Sequence, residues 1–236
     1  DKIPSDLTAE EILIRSGNIG SVRIAEKVGI ENYNEFLQTI GIISNLEFDI
    51  QEVGTTQLGR WGKCKLATVA FGHGIATTLL QLSKGYSIIS NGGYEITPTL
   101  LKKEKLQRQR ILNENLSETI NPILRKIVST KEGTAGFANV KGYEIGGKTG
   151  TADQPSKGGY SKKKVNTFAS VFPTSDPKFV LAVMLDEPKA NREFVYHYRD
   201  NRYPYKGNWR NTAGWTTVWV TGQIMDKIGP ILATKY

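Results

Sequence analysis

The chain has 236 residues, enough for one large domain or two small ones, and its 39% hydrophobic and 23% charged residues mark a globular, soluble class. The net charge of +8 is scattered apart from the run Lys162-Lys163-Lys164, and no nucleic-acid fold signature accompanies it, so nucleic acid is not an expected partner. Cys64 is the single cysteine, which excludes an internal disulfide and a cysteine-built zinc cluster, and no metal site is expected.

A cysteine nucleophile would need His73 or His197 as its base, and the spacing favours neither, so Cys64 reads as a bystander. No apolar run approaches a membrane span; the longest clear one, Phe179 to Leu185, suits a buried strand. The chain begins at Asp1 rather than Met, so we expect an excised or processed piece, with any membrane anchor outside it.

In chain order, Thr8-Ala9-Glu10-Glu11 is a capping box that opens a helix through Ile12, Leu13 and Ile14. Ser16-Gly17-Asn18 stops that helix. A second follows, with Ile19, Val22, Ala25 and Val28 on one face and Gly29 as its stop. A third runs from about Asn32 to Ile40. Ser16 and Asn18 thus stand two residues apart at a helix-to-helix junction. Either they are cap residues, which Ser and Asn favour, or they point together into a cleft.

Residues 42–70 read as irregular, and Phe71-Gly72-His73-Gly74 as a turn, with His73 a turn or packing residue. Thr78 to Gln81 caps a helix through Leu82, Tyr86 and Ile89 that Asn91-Gly92-Gly93 stops. A charged stretch, Lys102 to Arg110, leads to a helix that Ser117 caps. Val140 to Thr151 reads as a strand, followed by a hydrophilic loop to about Lys164. Val165 to Phe172, a tight turn at Pro173 to Pro177, and Lys178 to Leu185 read as an antiparallel hairpin. Residues 188–211 form a long polar loop carrying Tyr196, Tyr198, Tyr203, Tyr205 and Trp209, either self-packed or open to a partner. Apolar spacing from Thr216 to Ile231 closes the chain with a helix. Helices first, then antiparallel strands and a last helix, predict an α+β fold with a sheet flanked by helices.

Gly146-Gly147-Lys148-Thr149-Gly150-Thr151 organises the rest. Two glycines inside a strand imply that another backbone comes close. A bare strand edge with one cation, Lys148, and two hydroxyls, Thr149 and Thr151, can hold an extended peptide that ends in a carboxylate. A glycine-rich turn with a surface lysine is the plainer alternative.

Two motifs in order, Ser16-Gly17-Asn18 and Lys148-Thr149-Gly150, resemble the second and third signatures of the penicillin-binding proteins and serine β-lactamases. Phe71-Gly72-His73-Gly74 with Thr78-Leu79-Leu80-Gln81-Leu82, and Thr212-Ala213-Gly214-Trp215 entering a helix, resemble class B penicillin-binding proteins, nearer the septal enzyme than the elongation one. The resemblance implies that residues 1–236 are the C-terminal part of one transpeptidase domain, truncated at its N-terminal side. The family's nucleophile comes from a Ser-x-x-Lys motif ahead of Ser-x-Asn. Here the matches at Ser161 and Ser175 fall after the Lys-Thr-Gly strand, so the acylated serine is expected upstream of Asp1.

On that resemblance Ser16 relays a proton and Lys148 lowers the local potential and holds Ser16. Asn18 binds the stem-peptide amide, and Thr149 and Thr151 bind the terminal carboxylate. Gly150 belongs to the same substrate strand, and the N–H of Thr151 forms half of an oxyanion hole. It implies a D,D-transpeptidase with stem peptides ending in D-Ala-D-Ala and β-lactams as ligands, and a lipid-linked glycan polymerase and division proteins as partners. It implies no cofactor, and an inner-membrane location facing the periplasm. The rivals are a D,D-carboxypeptidase or β-lactamase, and a non-catalytic β-lactam sensor or divisome scaffold.

Overall fold

The computed structural model describes residues 4–102, 109–156, 159–197, 205–208 and 210–235. These residues form two compact units, with the boundary between Ile123 and Leu124, inside a helix.

The first unit is helical. α1 (Ala9–Arg15) opens on the Thr8–Glu11 capping box, with each side chain bonded to the other residue's backbone N–H. α2 (Asn18–Val28) and α3 (Ile30–Thr39) follow, joined at Gly29, whose φ of +82° suits glycine. β1 (Gln57–Leu58) pairs antiparallel with β2 (Ile75–Ala76), and α4 (Lys63–Val69) lies between them. α5 (Leu79–Ser90) is capped by Thr78, with Gln81 completing a second capping box. Gln81 is fully buried and also donates to the carbonyl of Ser44 at 2.9 Å, which ties the chain after α3 to the head of α5. The core gathers Ile40, Ile42 and Ile88, with Leu37, Ile75, Leu82 and Leu112 packed around them.

α6 (Glu114–Ser129) carries the chain into the second unit. There β3 (Gly146–Ser156), β4 (Gly159–Phe172) and β5 (Phe179–Asp186) form a three-stranded antiparallel sheet in the order β3-β4-β5. Its register pairs Lys148 with Ala169, Thr149 with Phe168 and Thr151 with Asn166. β6 (Asn191–Tyr196) and β7 (Tyr205–Asn208) form a separate antiparallel pair, and α7 (Thr217–Ala233) packs against β4 and β5. Phe168, Ile127, Ile145, Val171, Val218 and Met225 are fully buried in this unit.

The α+β expectation, both capping boxes and the Val165–Leu185 hairpin agree with the structure; several boundaries differ. The apolar face expected of α2 is only half covered: Ala25 is buried and Val22 half-buried, but Ile19 is 73% exposed and Val28 is exposed too. Residues 63–69, expected irregular, form α4, held by Leu66 and Val69 on its buried side. The strand expected from Val140 starts at Gly146, because Val140 to Tyr143 close a turn instead.

The hydrophilic loop expected up to Lys164 is largely strand. There β3 and β4 continue past the sheet body, bridged by Lys164–Asp153 at 2.6 Å, while Lys163 of β4 pairs with Glu187, just after β5, at 2.7 Å. Both faces of that arm meet solvent, so no apolar alternation marks it in the sequence. Part of the expected loop 188–211 is the β6–β7 pair. Tyr198, Tyr203 and Trp209, and residues 103–108 of the charged stretch, lie outside the described residues.

Candidate active site

In the first unit, the Ser16-Gly17-Asn18 junction is a Schellman turn. The N–H of Gly17 bonds the carbonyl of Ile12 at 2.9 Å, and that of Ser16 bonds Leu13 at 3.3 Å. Ser16 sits at the left-handed position of this turn, with φ 58° and ψ 48°. Glycine is the usual occupant because a Cβ there costs about 1 kcal/mol or more. Yet the glycine stands one place later, at Gly17. A serine in this left-handed place with a glycine beside it singles out Ser16 as a candidate functional position. The cap alternative holds in part: Ser16 is the C-cap of α1 through its backbone, while α2 takes Gly17 as its N-cap and has no side-chain cap bond. Asn18, the first residue of α2, is exposed. Close packing fixes the angle of the two helices. A Cβ on Gly20 would lie 2.6 Å from the end of the Ile12 side chain.

In the second unit, β3 presents Lys148, Thr149, Gly150 and Thr151 in succession at one edge of its sheet. Successive side chains of a strand alternate in face. Lys148 and Gly150 therefore lie on one face, and Thr149 and Thr151 on the other, sharing the backbone edge between them.

Both hydroxyls are held by the protein. Thr149 Oγ1 is 2.8 Å from Thr134 Oγ1, and Thr151 Oγ1 accepts the N–H of Ala213 at 3.0 Å. Because Thr151 accepts that bond, its own proton is available to donate outward, and the residue is exposed. Thr134 lies in a loop and Ala213 opens the 3-10 turn Ala213–Trp215, both outside the motif, and a short sequence signature gives no hint of either.

The glycines divide by role. A Cβ on Gly146 would lie 2.8 Å from the backbone of Leu124 and Arg125, and one on Gly147 would lie 2.4 Å from the carbonyl oxygen of Ala169. The close backbone expected at these glycines is thus the protein's own α6 and β4. Gly150 is the open one: its nearest neighbour would be Thr167 Cβ at 3.8 Å, and it is exposed.

Lys148 is partly buried and donates to the carbonyl of Thr149 at 3.0 Å. Burial pushes its ammonium from the ordinary 10.5 down to about 8. The unfolded chain therefore binds more protons than the folded one between about pH 8 and 10.5, so folding stability rises with pH through that window. Lys148→Met should flatten this rise and stabilise the protein at neutral pH by about 2 kcal/mol. Urea midpoints of both proteins at neutral and alkaline pH check this, and identical pH slopes would contradict it.

Residues 1–202 match the penicillin-binding-protein transpeptidase domain. The chain is 29% identical over 242 residues to the probable peptidoglycan D,D-transpeptidase FtsI of Caulobacter vibrioides, covering 97% of this chain and 39% of that protein. It is 31% identical over 201 residues to stage V sporulation protein D of Bacillus subtilis, covering 78% of this chain and 31% of that protein. The apo transpeptidase domain of Burkholderia pseudomallei penicillin-binding protein 3 superposes with a TM-score of 0.80 at 25% identity, covering 95% of this chain and 65% of that one. Penicillin-binding protein 3 of Mycobacterium tuberculosis, solved with aztreonam, shares the fold with a TM-score of 0.74 at 23% identity, over 94% of this chain and 52% of that one.

The chain belongs to the penicillin-binding-protein transpeptidase family and is related to its septal FtsI and penicillin-binding-protein-3 type members. It spans about a third of the length of the curated relatives it matches.

Proposed function

We propose that residues 1–236 are the C-terminal part of a D,D-transpeptidase domain that cross-links peptidoglycan stem peptides in septal wall synthesis through a serine acyl-enzyme. The observation that carries this reading is the setting of the two family motifs. One puts a serine at a strained helix junction; the other puts a desolvated lysine and two anchored threonines on an exposed sheet edge. The nucleophile is supplied by a Ser-x-x-Lys segment outside these residues. Neither match to that pattern here fits, since Ser161 lies in β4 and Ser175 in the turn before β5, not at the head of a buried helix.

In the mechanism, a stem peptide ending in D-Ala-D-Ala lies along β3 as an added strand, beside Gly150. Its carboxylate meets the hydroxyls of Thr149 and Thr151, and Asn18 holds its amide. The N–H of Thr151 faces the carbonyl oxygen as charge develops on it, with the N–H of the nucleophilic serine as the second donor. Ser16 passes the proton from the attacking serine to the departing D-alanine, and Lys148 stabilises negative charge. β-Lactams enter by the same contacts. No cofactor takes part in this scheme. The domain faces the periplasm, held to the inner membrane by a segment outside residues 1–236, alongside a lipid-linked glycan polymerase and division proteins. No helix among the described residues is long and apolar enough to cross a membrane.

A fluorescent penicillin tests the reading. The full-length protein should take a covalent label that unlabelled β-lactam displaces, and residues 1–236 alone should take none. Labelling of the short chain would overturn the placement of the nucleophile. A full-length protein that binds penicillin without forming a covalent adduct would instead be a sensor or scaffold.

A further inference from the structure

Asn166 lies in the middle of β4, directly across the ladder from Thr151, and is fully buried. Its Nδ2 donates to Thr216 Oγ1 at 2.9 Å and to Asn211 Oδ1 at 3.1 Å. Those residues stand two before and three after Ala213, whose N–H donates to Thr151 Oγ1. Thr216 Oγ1 in turn donates to the carbonyl of Thr212 at 3.0 Å, and Asn211 Nδ2 to the carbonyl of Pro188. One amide nitrogen therefore clamps both sides of the short turn Ala213–Trp215. Asn166 Oδ1 has no hydrogen-bond partner among the described residues. A half-satisfied buried amide costs stability where an apolar side chain of similar shape would not. Its place beside Thr151 therefore points to positioning rather than to stability.

We propose that Asn166, acting through Thr216 and Asn211, is a positioning residue that fixes the Ala213 N–H on Thr151 Oγ1. The threonine proton is thereby aimed at the carboxylate of the substrate. The inference rests on the carboxylate role given to Thr151 above. A hydroxyl that must accept from a fixed N–H keeps its proton on the opposite side. If the turn loosens, the hydroxyl rotates and the carboxylate loses a charge-assisted bond. A substrate without that charge has little to lose.

The test compares acylation of the full-length protein by a thioester peptide mimic ending in a free carboxylate with acylation by its carboxamide. The wild-type protein should prefer the carboxylate. Thr216→Val, equal in shape but without the hydroxyl, should slow the carboxylate substrate about tenfold and the carboxamide less than about twofold. Thr216→Ser should restore the preference. Asn166→Asp, which keeps the shape but removes both donated bonds, should act as Thr216→Val does.

Equal slowing of both substrates in Thr216→Val would overturn the positioning role and leave a structural one. No slowing of either would overturn it as well. A wild-type protein indifferent to the carboxylate would instead overturn the role of Thr151 itself.

Discussion

Ser16→Ala and Lys148→Ala, each placed in the full-length protein, should slow covalent labelling by a fluorescent penicillin by about a hundredfold to a thousandfold, and the double variant should be scarcely slower than either. Residues that act as one unit in a proton relay fail together, so the second loss adds little. The proposed roles make them one functional unit: the hydroxyl carries the proton, and the ammonium stabilises the negative charge that develops as it moves. Stopped-flow acylation rates for the three variants give the coupling directly. Fully additive losses would mean that the two side chains act separately, and the transpeptidase site would not be the one assigned here. The lysine variant should still fold, since loss of Lys148 relieves the cost of burying an ammonium.

Gly147→Ala should cost about 3 kcal/mol or more of folding stability, while Gly150→Ala, three residues along the same strand, should change it by about 0.5 kcal/mol at most. The difference is in the surroundings. An added methyl at 147 would meet the carbonyl oxygen of Ala169 at 2.4 Å and the Cα of Ser170 at 2.9 Å, which are backbone atoms that cannot turn away. At 150 nothing lies nearer than 3.8 Å. Urea unfolding of the two variants separates them, and similar midpoints would show that β4 yields more easily than its geometry implies.

Much of this was legible in the residues, for identifiable reasons. Thr8 and Thr78 each have Glu or Gln three places on, a pairing that is local and therefore readable, and both caps form. The hairpin of β4 and β5 showed because its strands are apolar and Pro173 to Pro177 interrupts them. The outer half of the β3–β4 arm did not show, because solvent on both sides lets it be polar throughout. α4 was hidden by its length of seven residues, too few for a period to emerge.

At the site, the motif residues were found by their order. The partners that aim them were not: Thr134, Asn166 and Ala213 meet β3 through the fold, from 15 to 62 residues away along the chain. The strain at Ser16 was equally invisible, since a serine next to a glycine says nothing of which one takes the left-handed place.

Gly146 and Gly147 together act as a register pin. Arg125 adds a bond from its guanidinium to the carbonyl of Ile145 at 2.8 Å, so the base of β3 is anchored to α6 as well as to β4. A slip of one residue along β4 would drive Lys148 or Ile145 into a slot that admits a hydrogen atom and nothing larger. The strand cannot creep, and the spacing of ammonium, open glycine and hydroxyl along its margin is a fixed ruler. A peptide laid against it would be measured by a rigid gauge, so any accommodation of an ill-fitting ligand must come from the ligand itself.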